Sequence, residues 1–398
     1  MLSISRSIGV VLAAVALTAV LLSGPAQADS LPPPNWSGLD VTSYSGPIPH
    51  SGTLIEQVPL DPALSLPSAA PAYRIHYSSP DIRGYPATST GAVFLPKQPA
   101  PPGGYPVIAW AHGTTGLGDD CTPSALPRSA RDTAYLSHWL DQGYAVVSSD
   151  YVGLGTPGLM SYLSGRVEAT SIVDSVKAAH QLGLPLANRW AIVGQSQGAG
   201  AALNAAQRAT ALTAGTDLDY RGVVATGTPA NIETVVGLGG PGFPPVTLPA
   251  ALNVYLAYIL AGFSDASVDF SVPAVLTPRG REVLELARTE CYQDLADALA
   301  GQRVGDWFAA PLSSIPWVQM SLSLYMGTPF TGYDRPIFLG QGLRDVDVPA
   351  PSALSLYAQM RANNQPVELH IYPDQDHNGT VLASIPDSTP FLARVLAP

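Results

Sequence analysis

Short apolar runs alternate along this chain with stretches in which apolar residues recur at helical spacing. Residues 106–111, 144–149 and 190–193 run without a charged side chain, the pattern of strands buried on both faces. Residues 73–77 and 88–95 are rich in Tyr, Ile, Val and Thr and predict two strands flanking a turn at 81–86. Residues 130–141, 169–182 and 199–212 predict helices; in the second, Ile172, Val176, Ala179 and His180 share one face. A further strand is predicted at 220–226. Alternating strands and helices pack as a mostly parallel sheet with helices on both faces, so the chain is expected to be α/β.

The rhythm breaks over residues 231–331. Residues 236–245 are rich in Gly and Pro, 248–263 are strongly apolar, and 277–299 predict a charged helical segment. This block is expected to be an inserted, largely helical cap. Its apolar helix is too short to span a bilayer, and serves either as cap core or as a face turned to substrate or an interface. The earlier pattern resumes with strands at 336–339 and 367–372 and helices at 350–363 and 386–396. Residues 71–230 and 332–398 therefore predict one discontinuous core. Residues 29–70, rich in Pro, Ser and Gly, read as an exposed leader before it.

The first 28 residues are set apart from this pattern. Arg6, the apolar run 8–22 and Ala26-Gln27-Ala28 have the form of a cleavable secretion signal. Arg6 stands alone, so there is no twin-arginine signature. Cleavage would take the formal charge from −11 to −12. An acidic, exported chain without a Lys/Arg cluster is not expected to bind nucleic acid. In an oxidising compartment the two cysteines, Cys121 and Cys291, are expected to form one disulfide.

Chemistry is concentrated at the predicted strand ends. Residues 189–201 read RWAIVGQSQGAGA: a strand, then Gly194-Gln195-Ser196-Gln197-Gly198, then a small-residue helix. This is the G-x-S-x-G turn that presents a nucleophilic serine. A hydroxyl needs a base within hydrogen-bond reach. Of the seven histidines, His50 falls in the leader, His76 and His370 in strands, and His138 and His180 in helices. His112 precedes the serine in a glycine loop and is read as bracing that loop. His377 alone lies in a loop after the last predicted strand, where the base is expected. Asp345 is the choice for the acid and Asp347 its rival, both in the loop after the preceding strand. The oxyanion donors are expected to be the backbone N–H of Gln197 and that of Thr114, in the loop His112-Gly113-Thr114-Thr115-Gly116.

Two other chemistries are set aside. Residues 153–158 match G-x-G-x-x-G, but the match begins past the strand end, contains Pro157 and lacks a following helix, so no dinucleotide cofactor is expected. There is no H-E-x-x-H and no close histidine pair, so no metal is expected either.

These residues together resemble the secretory lipase family of the Candida antarctica lipase A type, particularly its bacterial secreted members. The resemblance runs from about Pro71 to the C-terminus. It rests on Trp110-Ala111-His112-Gly113-Thr114-Thr115-Gly116, Asp150-Tyr151-Val152-Gly153-Leu154-Gly155, the serine turn, residues 342–349 and Asp376-His377. It implies an α/β-hydrolase fold, a triad of Ser196, Asp345 and His377, and an oxyanion hole of Thr114 and Gln197. It also implies that residues 277–291 belong to the cap, over an acyl-binding tunnel, and that a Cys121–Cys291 bond ties the cap to the loop after the oxyanion motif. Little chain follows His377, so the family's C-terminal flap is expected to be reduced.

The expected function is an exported serine hydrolase cleaving carboxylic esters, as a triacylglycerol lipase or carboxylesterase, with an ester or lipid substrate. It needs no stable membrane insertion. A serine peptidase or amidase on the same fold is the alternative, and a non-catalytic binding protein the third reading.

Overall fold

The computed structural model describes residues 39–246, 248–267 and 271–398. The expected signal segment, residues 1–28, lies outside them, as does the start of the leader. In chain order the elements are β1 (Leu54–Pro59), β2 (Ala69–Pro80), β3 (Pro86–Pro96), β4 (Tyr105–Ala111), α1 (Ala130–Asp141) and β5 (Ala145–Ser149). Then come α2 (Gly165–His180), β6 (Leu186–Gln195), α3 (Gln197–Leu212) and β7 (Asp219–Thr226). The interrupting block holds α4 (Glu233–Val236), α5 (Ala250–Ala266), α6 (Pro278–Thr289), α7 (Tyr292–Ala298) and α8 (Val318–Met326). The chain closes with β8 (Ile337–Gly342), α9 (Pro351–Ala362), β9 (Val367–Tyr372), α10 (Gly379–Ala383) and α11 (Ile385–Val395).

All nine strands form one sheet, in the order β1-β2-β3-β5-β4-β6-β7-β8-β9. The first three and the β3–β5 pair are antiparallel, and every pair from β5–β4 onward is parallel. The uninterrupted apolar runs are the parallel strands: every residue of β4 and of β5 is buried, as helices on both faces require. On one face α1 and α11 enclose a core with Trp110, Trp139, Phe338 and Phe391. On the other, α2 and α3 lie against the sheet, and the cap helices join the same continuous core. The small residues of α3, from Ala199 to Ala206, let its backbone approach the strands closely.

Two expectations need correction. The leader is not all exposed: β1 pairs with β2, and Leu39, Val41, Leu60, Leu64 and Leu66 are buried. The predicted helical segment 277–299 is two helices, broken at Glu290 and Cys291, where Cys291 bridges Gly116 in an extended pairing. That break brings Cys291 to Cys121, and the two form a disulfide with their Cα atoms 5.4 Å apart across 170 residues of sequence. In the chain-entropy description, closing so long a loop stabilises the folded chain by about 5 kcal/mol. Reduction is therefore expected to lower the melting temperature, and a non-reducing peptide map to recover one linked Cys121–Cys291 pair. Two free thiols in that map would refute the bond.

Candidate active site

Strand β6 enters the serine turn through Gly194 and Gln195, and α3 leaves it at Gln197. Ser196 has φ 59° and ψ −125°, a backbone conformation that costs an L residue about 1–3 kcal/mol and persists only under firm surrounding packing. Glycines supply that packing. A Cβ at Gly198 would lie 1.9 Å from the carbonyl oxygen of Ala111 in β4, and one at Gly194 would lie 2.1 Å from the carbonyl of Gly198. Any side chain at either position would push helix and strand apart. Gln197 opens α3, so its N–H is one of those that no intrahelical carbonyl satisfies.

His377 lies between β9 and α10, and its Nδ1 is 2.7 Å from Oδ2 of Asp345. Both side chains are buried. The second carboxylate oxygen of Asp345 accepts the N–H groups of Asp347 at 3.0 Å and Val348 at 2.7 Å. The loop after β8 thus fixes Asp345 from behind. Of the rival acids, Asp345 holds the ring, whereas Asp347 is half-buried on a cavity wall, its pKa raised by that burial.

Thr114 follows β4, and its hydroxyl pairs with that of Tyr162 at 2.6 Å. A bond from this hydroxyl to an oxyanion would require Tyr162 to be the donor in that pair. His112 braces its loop, with Nδ1 2.6 Å from the carbonyl of Gly113 and its ring stacked on Tyr151 at 4.4 Å. Burial lowers its pKa. The glycine loop 153–158 forms turns and is followed by no helix before α2.

A cavity of about 280 Å³ opens on Ser196 and Gln197. Its walls are Tyr162, Ile232, Val236, Phe243 and Val348, with Leu252, Tyr255, Leu256 and Ile259 from α5. Helix α5 plays both roles considered from sequence: Val254, Ala257 and Tyr258 are buried in the core, while the residues just named line the cavity.

Two neighbours escaped the sequence analysis. The Glu168 carboxylate in α2 accepts the side-chain amide of Gln197 at 2.7 Å and the N–H of Leu163 at 3.0 Å. Full burial pushes this carboxyl up to about 8, against the pull of those two bonds. It therefore braces the residue after Ser196 chiefly as a neutral acid at pH 7. Gln195 is the second, with its side-chain nitrogen 3.0 Å from Nε2 of His377. A buried Glu inside a helix pattern carried a signal, since such a residue needs a partner; the reach of Gln195 carried none. Among the described residues, no group of three or more His, Cys, Asp or Glu side chains could hold a metal.

The sheet order and the helices on both of its faces are those of an α/β-hydrolase fold. Residues 128–307 match the secretory lipase family, and residues 320–393 match the prolyl oligopeptidase family. Over residues 128–307 the chain is similar to the secretory lipases. It is 26% identical over 301 residues to Lipase A of Moesziomyces aphidis, covering 71% of this chain and 62% of that protein's length. Among solved structures, the rice cell wall degrading esterase LipA of Xanthomonas oryzae superposes with a TM-score of 0.69 at 19% identity, over 87% of this chain and 99% of that one. Candida antarctica lipase A in its closed state gives 0.69 at 20% identity, over 87% of this chain and 82% of its own.

Proposed function

We propose that this protein is an exported serine hydrolase of carboxylic esters, with the signal segment 1–28 removed on secretion. The observation that carries the reading is the Asp345–His377 pair, reached by Gln195, whose neighbour Ser196 lines an apolar cavity. In the proposed reaction the Ser196 oxygen attacks the ester carbonyl carbon while its proton passes to Nε2 of His377. The N–H groups of Gln197 and Thr114 receive the oxyanion. The tetrahedral species collapses, the C–O bond to the alcohol breaks, and the alcohol takes the proton from His377. Water then repeats the sequence on the acyl-enzyme and releases the acid.

The surface around the cavity supports a lipid or emulsified ester. Residues 234–264 and 307–333 contain no Asp, Glu, Lys or Arg in a chain of net charge −11. On α8 and its first flank, Trp317, Met320 and Leu324 form one exposed stripe, Leu324 with 80% of its surface open to solvent. Helix α4 and the turn after it abut this helix, Gly237 lying against Gln319, and add Val235 and Leu238. Val235 is also a cavity wall, so the apolar face runs to the mouth of the cavity. A face of this kind favours a lipid–water interface over bulk water.

The match to the prolyl oligopeptidase family favours a peptidase as the second reading. Against it, the cavity walls are almost wholly apolar, with Asp347 their single charged group, and offer little to a peptide backbone. A series of p-nitrophenyl esters of rising chain length, with and without an emulsion, run beside peptide anilides, separates the two. Turnover of medium or long acyl esters is expected to exceed that of the anilides by about 10²-fold or more, since buried methylenes contribute and unpaired amides cost. Emulsion is expected to raise turnover, and Leu324→Asp to remove that increment alone. Faster anilide turnover would sink the ester reading.

A further inference from the structure

The nitrogen of His377 that has to take a proton from Ser196 is already engaged. Its Nδ1 faces the Asp345 carboxylate at 2.7 Å and therefore carries the ring proton, leaving a lone pair on Nε2. The side-chain nitrogen of Gln195 stands 3.0 Å from that lone pair. The amide orientation follows, because an amide oxygen there would face the lone pair and be repelled. Among the described residues, Ser196 makes no side-chain hydrogen bond to the ring. Gln195 is buried and is the last residue of β6, so its reach is set by the sheet rather than by a loop.

Two glycines leave room for this contact. A Cβ at Gly113, in the loop that carries Thr114, would lie 2.5 Å from the amide oxygen of Gln195. A Cβ at Gly227, just past β7, would lie 2.9 Å from Cε1 of His377. The arrangement thus involves the ends of β4, β6 and β7 together.

We infer that Gln195 is a positioning residue that parks His377 in the resting protein, and that ester binding must exchange the Gln195 bond for one from Ser196. The idea rests on the serine-hydrolase reading above. An amide that donates to Nε2 competes with the Ser196 hydroxyl for the same lone pair. Breaking it before proton transfer adds to the barrier of acylation, and again to that of deacylation, where Nε2 must take a proton from water. Once Nε2 holds the serine proton it no longer accepts, so the amide must rotate and present its oxygen. The space at Gly113 is where that end of the amide now sits.

The test compares wild type with Gln195→Met, which keeps the length without a donor, and Gln195→Asn, which keeps the amide but falls one methylene short of the ring. Each is reacted with a fluorophosphonate probe and with p-nitrophenyl butyrate. Loss of one net hydrogen bond, about 1 kcal/mol, corresponds to about a fivefold rise in the labelling rate and in kcat/KM for both variants. Both readouts report the acylation half-reaction. Gln195→Glu would place a carboxylate on Nε2. The acids then facing the ring would be residue 195, Asp345 and, farther off, Asp347, so the acid limb of its pH–rate profile is expected to move to higher pH. A merely structural Gln195 would give the opposite result, slower labelling in every variant. Met and Asn variants that label at or below the wild-type rate, or a Glu variant whose profile superimposes on wild type, would overturn the proposal. A folded wild type that takes no probe would instead sink the serine-hydrolase reading, and the proposal with it.

Discussion

Ser196→Ala is expected to lower kcat/KM on a soluble ester by about 10⁶-fold and to abolish fluorophosphonate labelling. The size follows from the geometry. With the hydroxyl gone, the Asp345–His377 pair has nothing to deprotonate except water, while the cavity and the N–H of Gln197 still bind and polarise the ester. That remainder is why the loss should not be complete. The fold should be little affected, because alanine meets the same backbone cost at φ 59° as serine and Ser196 contributes no side-chain bond to the described structure. Circular dichroism and a melting curve close to wild type would establish that the loss is chemical. A variant retaining a tenth of wild-type activity would require a different nucleophile.

Asp345→Asn is expected to cost about 10⁴-fold in kcat, and Asp347→Asn less than tenfold. The structure supplies a reason beyond the missing charge. One oxygen of Asp345 accepts the N–H groups of Asp347 and Val348. In the Asn variant the amide oxygen must keep those two bonds, so the NH₂ group is forced to the side facing His377. It then donates to Nδ1, and the ring proton has to move to Nε2. A ring protonated at Nε2 cannot accept from Ser196. Asp347 lies on the cavity wall and touches neither reacting nitrogen, so its effect on the ring is electrostatic only. Steady-state kinetics of the two variants, with a melting curve for each, decide the ranking. The reverse order would transfer the acid role to Asp347.

The readability of this chain varies by element for physical reasons. Strands β4 to β7 were legible because burial on both faces demands unbroken apolar runs. Helix α1 was predicted at its observed bounds, and α3 within two residues of its start. Strand β1 was missed because it lies at the sheet edge, where three of its six residues are half-buried and three exposed. Its sequence, LIEQVP, sits inside a Pro- and Ser-rich stretch that reads as loop. Helix α8 was missed for the opposite reason: it is apolar on its exposed face as well as its buried one, so no amphipathic period marks it. The break between α6 and α7 depends on Cys291 pairing with a segment 170 residues away from it in sequence, which no local pattern encodes.

By itself, the sequence determined the α/β alternation, the serine on its glycine-flanked turn, and the two loops that hold His377 and Asp345. Each of these is local: a strand end, a turn that tolerates only glycine, a polar residue after an apolar run. The tertiary structure alone decided which carboxylate holds the ring, which residues of α5 meet the cavity, and that Gln195 occupies the nitrogen Ser196 needs. Those are distances between side chains on different strands, set by sheet register and by close approaches at Gly113, Gly198 and Gly227, and register is a property of the assembled sheet rather than of any one segment.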